Sequence, residues 1–210
     1  PHSAGVLISS DGGGTWHQSQ HITHPETWVI EGTLAVLHNH TVMQMFRTTL
    51  GSIFQSFSED DGETWSTPVA HPSLPNPNSK VNLIRLHGSS NKLALAYNHI
   101  GGPSRDHLRT DLFVAVSSDE GKTWNKIAEL ETVHNVLSKW HYPTLAQDEC
   151  RLLVAYSSMH NAMYPFDNPP DIGAIHLAEI DLRRADLSEK TRLVEMVWPP
   201  PPAEDAFLDE

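Results

Sequence analysis

Short runs of alternating apolar and polar residues recur along most of the chain, and a two-residue period is that of strands with one buried face. One unit reads Gly32–Leu37, a turn at His38-Asn39-His40, Thr41–Phe46, a loop, then Ser52–Phe57, with an outer strand after Trp65. The next unit repeats it as Val81–Leu86, a turn near Gly88-Ser89-Ser90, Lys92–Tyr97, a long loop and Asp111–Val116. Half a unit precedes them (Gly5–Ser9 and a strand from His17), and Pro143–Gln147, Arg151–Tyr156 and Ile172–Ile180 follow. The pattern predicts an all-β protein of four-stranded up-and-down sheets, with strands A to D in each.

The turns carry a repeat. Ser9–Trp16, Ser58–Trp65 and Ser117–Trp124 align without gaps as Ser-x-Asp-x-Gly-x-Thr-Trp, with the Asp positions 49 and 59 residues apart. That spacing is close to the roughly 40–50-residue period of propeller blades. The chemistry suits a tight C–D turn. Asp accepts nearby backbone N–H groups, Gly takes a positive φ, and Trp buries its ring while its N–H finds a partner.

Strand direction then sorts the residues between two rims, because antiparallel strands alternate. The A–B turns and the Asp turns share one rim. Glu31 entering strand A, Arg47 leaving strand B, Asn76 and Asn78 entering the next A, Asn98 leaving its B, and Tyr142 entering the third A share the other. Arg105 and Arg109 lie in a B–C loop on that second rim, and Arg109, which abuts strand C, is preferred.

Composition narrows the partners. Of 210 residues 39% are hydrophobic and 19% charged, as in a folded domain. The net charge of -12 excludes nucleic acid as the main partner, so an acidic ligand needs a few well-placed arginines. No apolar run approaches the roughly 18 residues of a membrane span. Cys150 is the sole cysteine, so no intrachain disulfide forms. The 14 histidines include His38 and His40 in a turn, with no metal-ligand spacing, and no metal or cofactor is expected. Residues 1–182 form the β domain. Residues 183–210 change to a charged, proline-rich tail containing Pro199-Pro200-Pro201-Pro202, a linker or docking segment.

The three turns resemble the Asp boxes of the sialidase (neuraminidase) superfamily, the BNR-repeat proteins, whose β-propellers have six blades. This chain supplies a little over three. Glu31-Gly32-Thr33-Leu34 with Arg47-Thr48 resembles the stretch holding the family's catalytic Glu and second triad Arg. Arg109-Thr110-Asp111-Leu112 resembles the segment of the third Arg, and His141-Tyr142-Pro143-Thr144 that of the nucleophilic Tyr. Pro75-Asn76-Pro77-Asn78-Ser79 is also similar to bacterial-type members. The resemblance implies an exo-α-sialidase-like hydrolase acting on an acidic glycan by a retaining mechanism. Tyr142 would be the nucleophile and Glu31 its base; Arg47, Arg109, Asn76, Asn78 and Asn98 would bind substrate. The family's first Arg and its Asp acid/base lie upstream of this stretch. The implication is an inactive fragment of a longer chain that supplies the missing blades, or a truncated or degenerate member. Two alternatives stand beside it: a non-catalytic propeller binding carbohydrate or protein, and a uronic-polysaccharide lyase using Tyr142 with His141 and His99.

Overall fold

The computed structural model describes residues 3–88, 92–101, 108–132, 138–160, 172–184 and 192–194. Four antiparallel sheets make up the described fold. The first is a pair, β1 (Leu7–Ile8) and β2 (His17–Gln18). The second runs β3 (Ile30–Val36), β4 (Val42–Arg47), β5 (Ser52–Ser58) and β6 (Val69–Pro75) in that order. The third is β7 (Asn82–Arg85), β8 (Leu93–Asn98), β9 (Leu112–Ser117) and β10 (Asn125–Glu131). The fourth is β11 (Ser138–Asp148), β12 (Arg151–His160), β13 (Ile172–Asp181) and β14 (Arg192–Val194). The second, third and fourth are up-and-down blades, and the chain is part of a β-propeller. Strand β14 comes from the stretch that composition assigns to the tail; it pairs Leu177 with Val194 and Glu179 with Arg192.

The blades stack face to face, which removes both surfaces of a strand from water. In β8 all six residues are buried: Leu93, Leu95 and Tyr97 join Met43, Met45 and Leu83 in the core between the second and third sheets. Ala94 and Ala96 turn the other way and join Val114, Leu145, Val154 and Tyr156 between the third and fourth. Burying one such large side chain stabilises by about 1.5–3 kcal/mol. Polar ties set the stagger of neighbouring blades. Thr33 Oγ1 accepts from Leu83 N (3.0 Å) and donates to Leu83 O (3.3 Å). One interface on, Asn82 Oδ1 accepts from Leu145 N at 2.7 Å.

All three Asp turns close alike. Each Asp Oδ1 accepts from the Thr backbone N–H at 2.8–2.9 Å, and each Ser Oγ accepts from the Gly N–H at 2.8 Å. Each of these bonds spans four residues, so the turn closes on itself. The donors hold Asp11, Asp60 and Asp119 down to a pKa of about 2, the Thr backbone and hydroxyl bonds contributing most. Gly13, Gly62 and Gly121 take φ of 94°, 97° and 82°. Each Trp Nε1 donates to the carbonyl of that Gly. Trp65 and Trp124 are packed against cores. Trp16 departs from the expected burial: it is 60% exposed, on a face that no described strand covers. Leu34 and Val36 of β3 are exposed as well, because the preceding sheet has only its outer pair.

Candidate functional site

On the rim away from the Asp turns, three successive blades each hold one non-glycine residue in the left-handed region at the head of strand A. These are Glu31 (φ 52°), Asn78 (φ 55°) and Tyr142 (φ 55°). Such a backbone costs about 1–3 kcal/mol and persists where the surroundings over-determine it. The alternating pattern places Glu31 and Tyr142 ahead of their strands. They lie inside them instead, at β-bulges where the register slips between Ile30 and Thr33 and between His141 and Thr144. A bulge adds a residue and re-aims its side chain, and here both aim at one point. Gly32 leaves room at the first bulge, since a Cβ there would stand 2.2 Å from Gln44 Nε2 and 3.1 Å from the Phe46 ring.

The side chains form a closed circuit. Tyr142 Oη donates to Glu31 Oε1 at 3.2 Å. Arg47 Nη1 donates to Glu31 Oε2 at 3.0 Å, and Arg47 Nε donates to Asn78 Oδ1 at 2.7 Å. Arg109 Nη2 donates to the main-chain oxygen of Asn78 at 3.4 Å. The Arg109 guanidinium lies 5.6 Å from the Tyr142 ring centroid, within cation–π range, and closes the loop. Tyr142 is 40% exposed, so the phenol stands open while Arg47 is largely covered. Burial, then the neighbouring Arg47 charge, push the Arg109 pKa down. Two cations against one carboxylate leave the circuit net positive in a chain of net charge -12.

The other residues named from sequence sit differently. Asn76 is fully buried; its Nδ2 donates to Ser79 O at 2.8 Å and its Oδ1 accepts from Ser79 N at 3.0 Å. Asn98 is also fully buried, and its Nδ2 donates to the carbonyls of Thr110 and Trp140. Both amides brace the rim from within and face no open space. Arg105 lies outside the described residues. His99 Nδ1 is engaged by the Tyr97 hydroxyl at 2.8 Å. His141 is 6% exposed and meets Tyr142 edge-to-face at 4.9 Å, and neither of its ring nitrogens has a hydrogen-bond partner among the described residues. Burial first, then Arg109 and Lys139, hold its pKa down to about 4, so it is neutral at pH 7. Lys80 escaped the sequence reading: its Nζ donates to Pro143 O at 3.2 Å, bracing the bulge beside Tyr142. Its place two residues after Asn78, in the same crossover, is the signal that could have found it.

Residues 1–154 match the family described as BNR repeat-like domain, a span that includes every member of the circuit. The chain belongs to that family. Among curated proteins none matches it by sequence. Among solved structures this BNR repeat-like chain is similar to the intramolecular trans-sialidase from Ruminococcus gnavus, at 16% identity and a TM-score of 0.56, over 72% of this chain and 33% of that one. It is similar also to the NanB sialidase from Streptococcus pneumoniae (21% identity, TM-score 0.54, 73% of this chain and 24% of that one). The α-L-arabinanase of Penicillium chrysogenum matches 93% of this chain with 54% of its own, at 20% identity and a TM-score of 0.54. The chain thus spans a third or less of these two sialidases and about half of the arabinanase. At such identities the likeness is one of fold, a propeller shared with glycoside hydrolases.

Proposed function

We propose that this chain carries one side of the active site of an exo-α-sialidase-like hydrolase acting on an acidic sugar. The observation that carries the reading is the Tyr142–Glu31 hydrogen bond flanked by two guanidiniums. A phenol is a poor nucleophile at neutral pH, since its ordinary pKa is about 10, and a carboxylate 3.2 Å away is placed to take its proton. In the first step Glu31 takes that proton while Tyr142 Oη bonds to the anomeric carbon. The bond to the leaving oxygen breaks, and that oxygen takes a proton from an acid elsewhere in the parent protein. In the second step water attacks the same carbon while the conjugate base of that acid takes a proton from the water, Tyr142 Oη departs, and Glu31 returns its proton to that oxygen. Two inversions give net retention.

The net positive charge of the circuit supports an anionic substrate: Arg47 and Arg109 would hold its carboxylate through charge-assisted bonds. The Ruminococcus gnavus neighbour, whose structure holds oseltamivir carboxylate, supports the same choice. A neutral sugar, such as the arabinobiose in the arabinanase structure, would leave that charge unanswered. Blades from the rest of the parent chain would complete the propeller, and the charged, proline-rich stretch 183–210 would be a tail that lends β14 to the fourth sheet. The test is release of sialic acid from a fluorogenic sialoside by the full-length protein. Cleavage that is abolished in Tyr142→Phe supports the reading; cleavage unchanged in that variant overturns it.

A further inference from the structure

Asn78 is the member of the circuit with no chemistry of its own, yet it touches both guanidiniums. Its side chain is confined: 5% of the residue is exposed, and it sits inside a turn that Asn76 and Ser79 close by two mutual hydrogen bonds. The turn is tied to the preceding blade by Asn76 N donating to Gly51 O at 3.0 Å. With φ at 55° the residue directs two different oxygens at two different cations, Oδ1 to Arg47 Nε and the main-chain oxygen to Arg109 Nη2. Asn is among the few side chains that tolerate this backbone. Arg47 comes from the second sheet and Arg109 from the loop leading into β9 of the third, so nothing in their own strands sets the distance between them.

We propose that Asn78 is the positioning residue for the anion site: it sets the separation and heading of Arg47 and Arg109, and thereby the affinity for the anionic group of the ligand. Two cations repel; a neutral dipole offering both an amide and a peptide oxygen holds them together without cancelling the charge a ligand must meet. An acidic residue there would itself occupy the guanidiniums. The proposal rests on the acidic-sugar reading for its ligand, but not for its geometry.

The test uses the full-length protein and two variants. Asn78→Gly keeps the left-handed backbone and the main-chain oxygen and removes the whole side-chain amide, Oδ1 with it. Asn78→Asp keeps an acceptor at Oδ1. Binding is measured by calorimetry with 2-deoxy-2,3-didehydro-N-acetylneuraminic acid and with its uncharged methyl ester. The expected result is a loss of about tenfold or more for the acid in Asn78→Gly, the scale of one hydrogen bond to a charged group, with the ester changed less than about threefold. An equal loss for both ligands, or none for either, overturns the proposal. The second measurement needs no ligand: the Arg47 Nε–H signal by NMR should exchange slowly in the parent protein, fast in Asn78→Gly, and slowly again in Asn78→Asp. Fast exchange in the parent, or no change in Asn78→Gly, overturns it. If the parent binds neither sugar, the substrate reading fails while the Arg47 signal still decides the role of Asn78.

Discussion

The Tyr142 hydroxyl and the Glu31 carboxylate, 111 residues apart in sequence, meet at 3.2 Å because two bulges in two different sheets turn both side chains onto the same rim. The pair is a proton donor and acceptor held by strained backbone, and its strain is localised where chemistry would use it.

Glu31→Gln keeps the shape of that residue and removes its basicity. Turnover of a sialoside by the full-length protein should fall by about 10²–10⁴-fold, the usual range for a general base, with little change in thermal midpoint. A rate within threefold of the parent in steady-state assays would exclude Glu31 as the base.

Arg47→Lys is not a conservative change here. Lysine keeps the charge but cannot serve Glu31 and Asn78 at once from one rigid fork. KM for an anionic sialoside should rise about tenfold or more, with kcat changing less. Steady-state kinetics over a wide substrate range separates the two.

Gly32→Ala should destabilise the fold by about 1–3 kcal/mol, because the new methyl overlaps Gln44 and presses on Phe46. Shortening the obstacle with Gln44→Ala should recover part of the loss. Urea unfolding of both single variants and the double variant gives the coupling, expected at about 0.5 kcal/mol or more.

Acid should unfold the protein through two separate windows. Burial depresses the folded pKa of His71, His99 and His141, the last to about 4. The unfolded chain therefore binds their protons first, and stability falls as pH drops below the ordinary histidine value of 6.5. The Asp-turn carboxylates are also depressed, from 3.8 to about 2, so their contribution is present above pH 4 and lost as pH falls towards 2. His141→Phe should flatten only the upper window and Asp60→Asn only the lower. Thermal midpoints between pH 2 and 7 check both.

The Asp turns were legible because the Ser, Asp, Gly and Thr bonds that close them span four residues or fewer, so motif and structure are the same object. The rim assignment of Glu31, Arg47, Arg109 and Tyr142 was legible too, since it needs only strand direction. The bulges were not: one inserted residue leaves the alternation on either side intact, and Glu31-Gly32 and Tyr142-Pro143 read as ordinary strand entries. Asn76 and Asn98 looked like ligand groups because polarity at a rim is visible in sequence while burial is not. Trp16 differs from Trp65 and Trp124 only in what lies beside it, which no local pattern encodes.

The ties between blades have a mechanical meaning. Glu31 and Tyr142 are separated by two joints, and in any stacked assembly small misfits accumulate from part to part. Thr33, two residues from Glu31, pins the first joint; Asn82, gripping the backbone three residues past Tyr142, pins the second. Those two side chains act as dowels, and the fit between the Tyr142 hydroxyl and the Glu31 carboxylate is only as good as their seating.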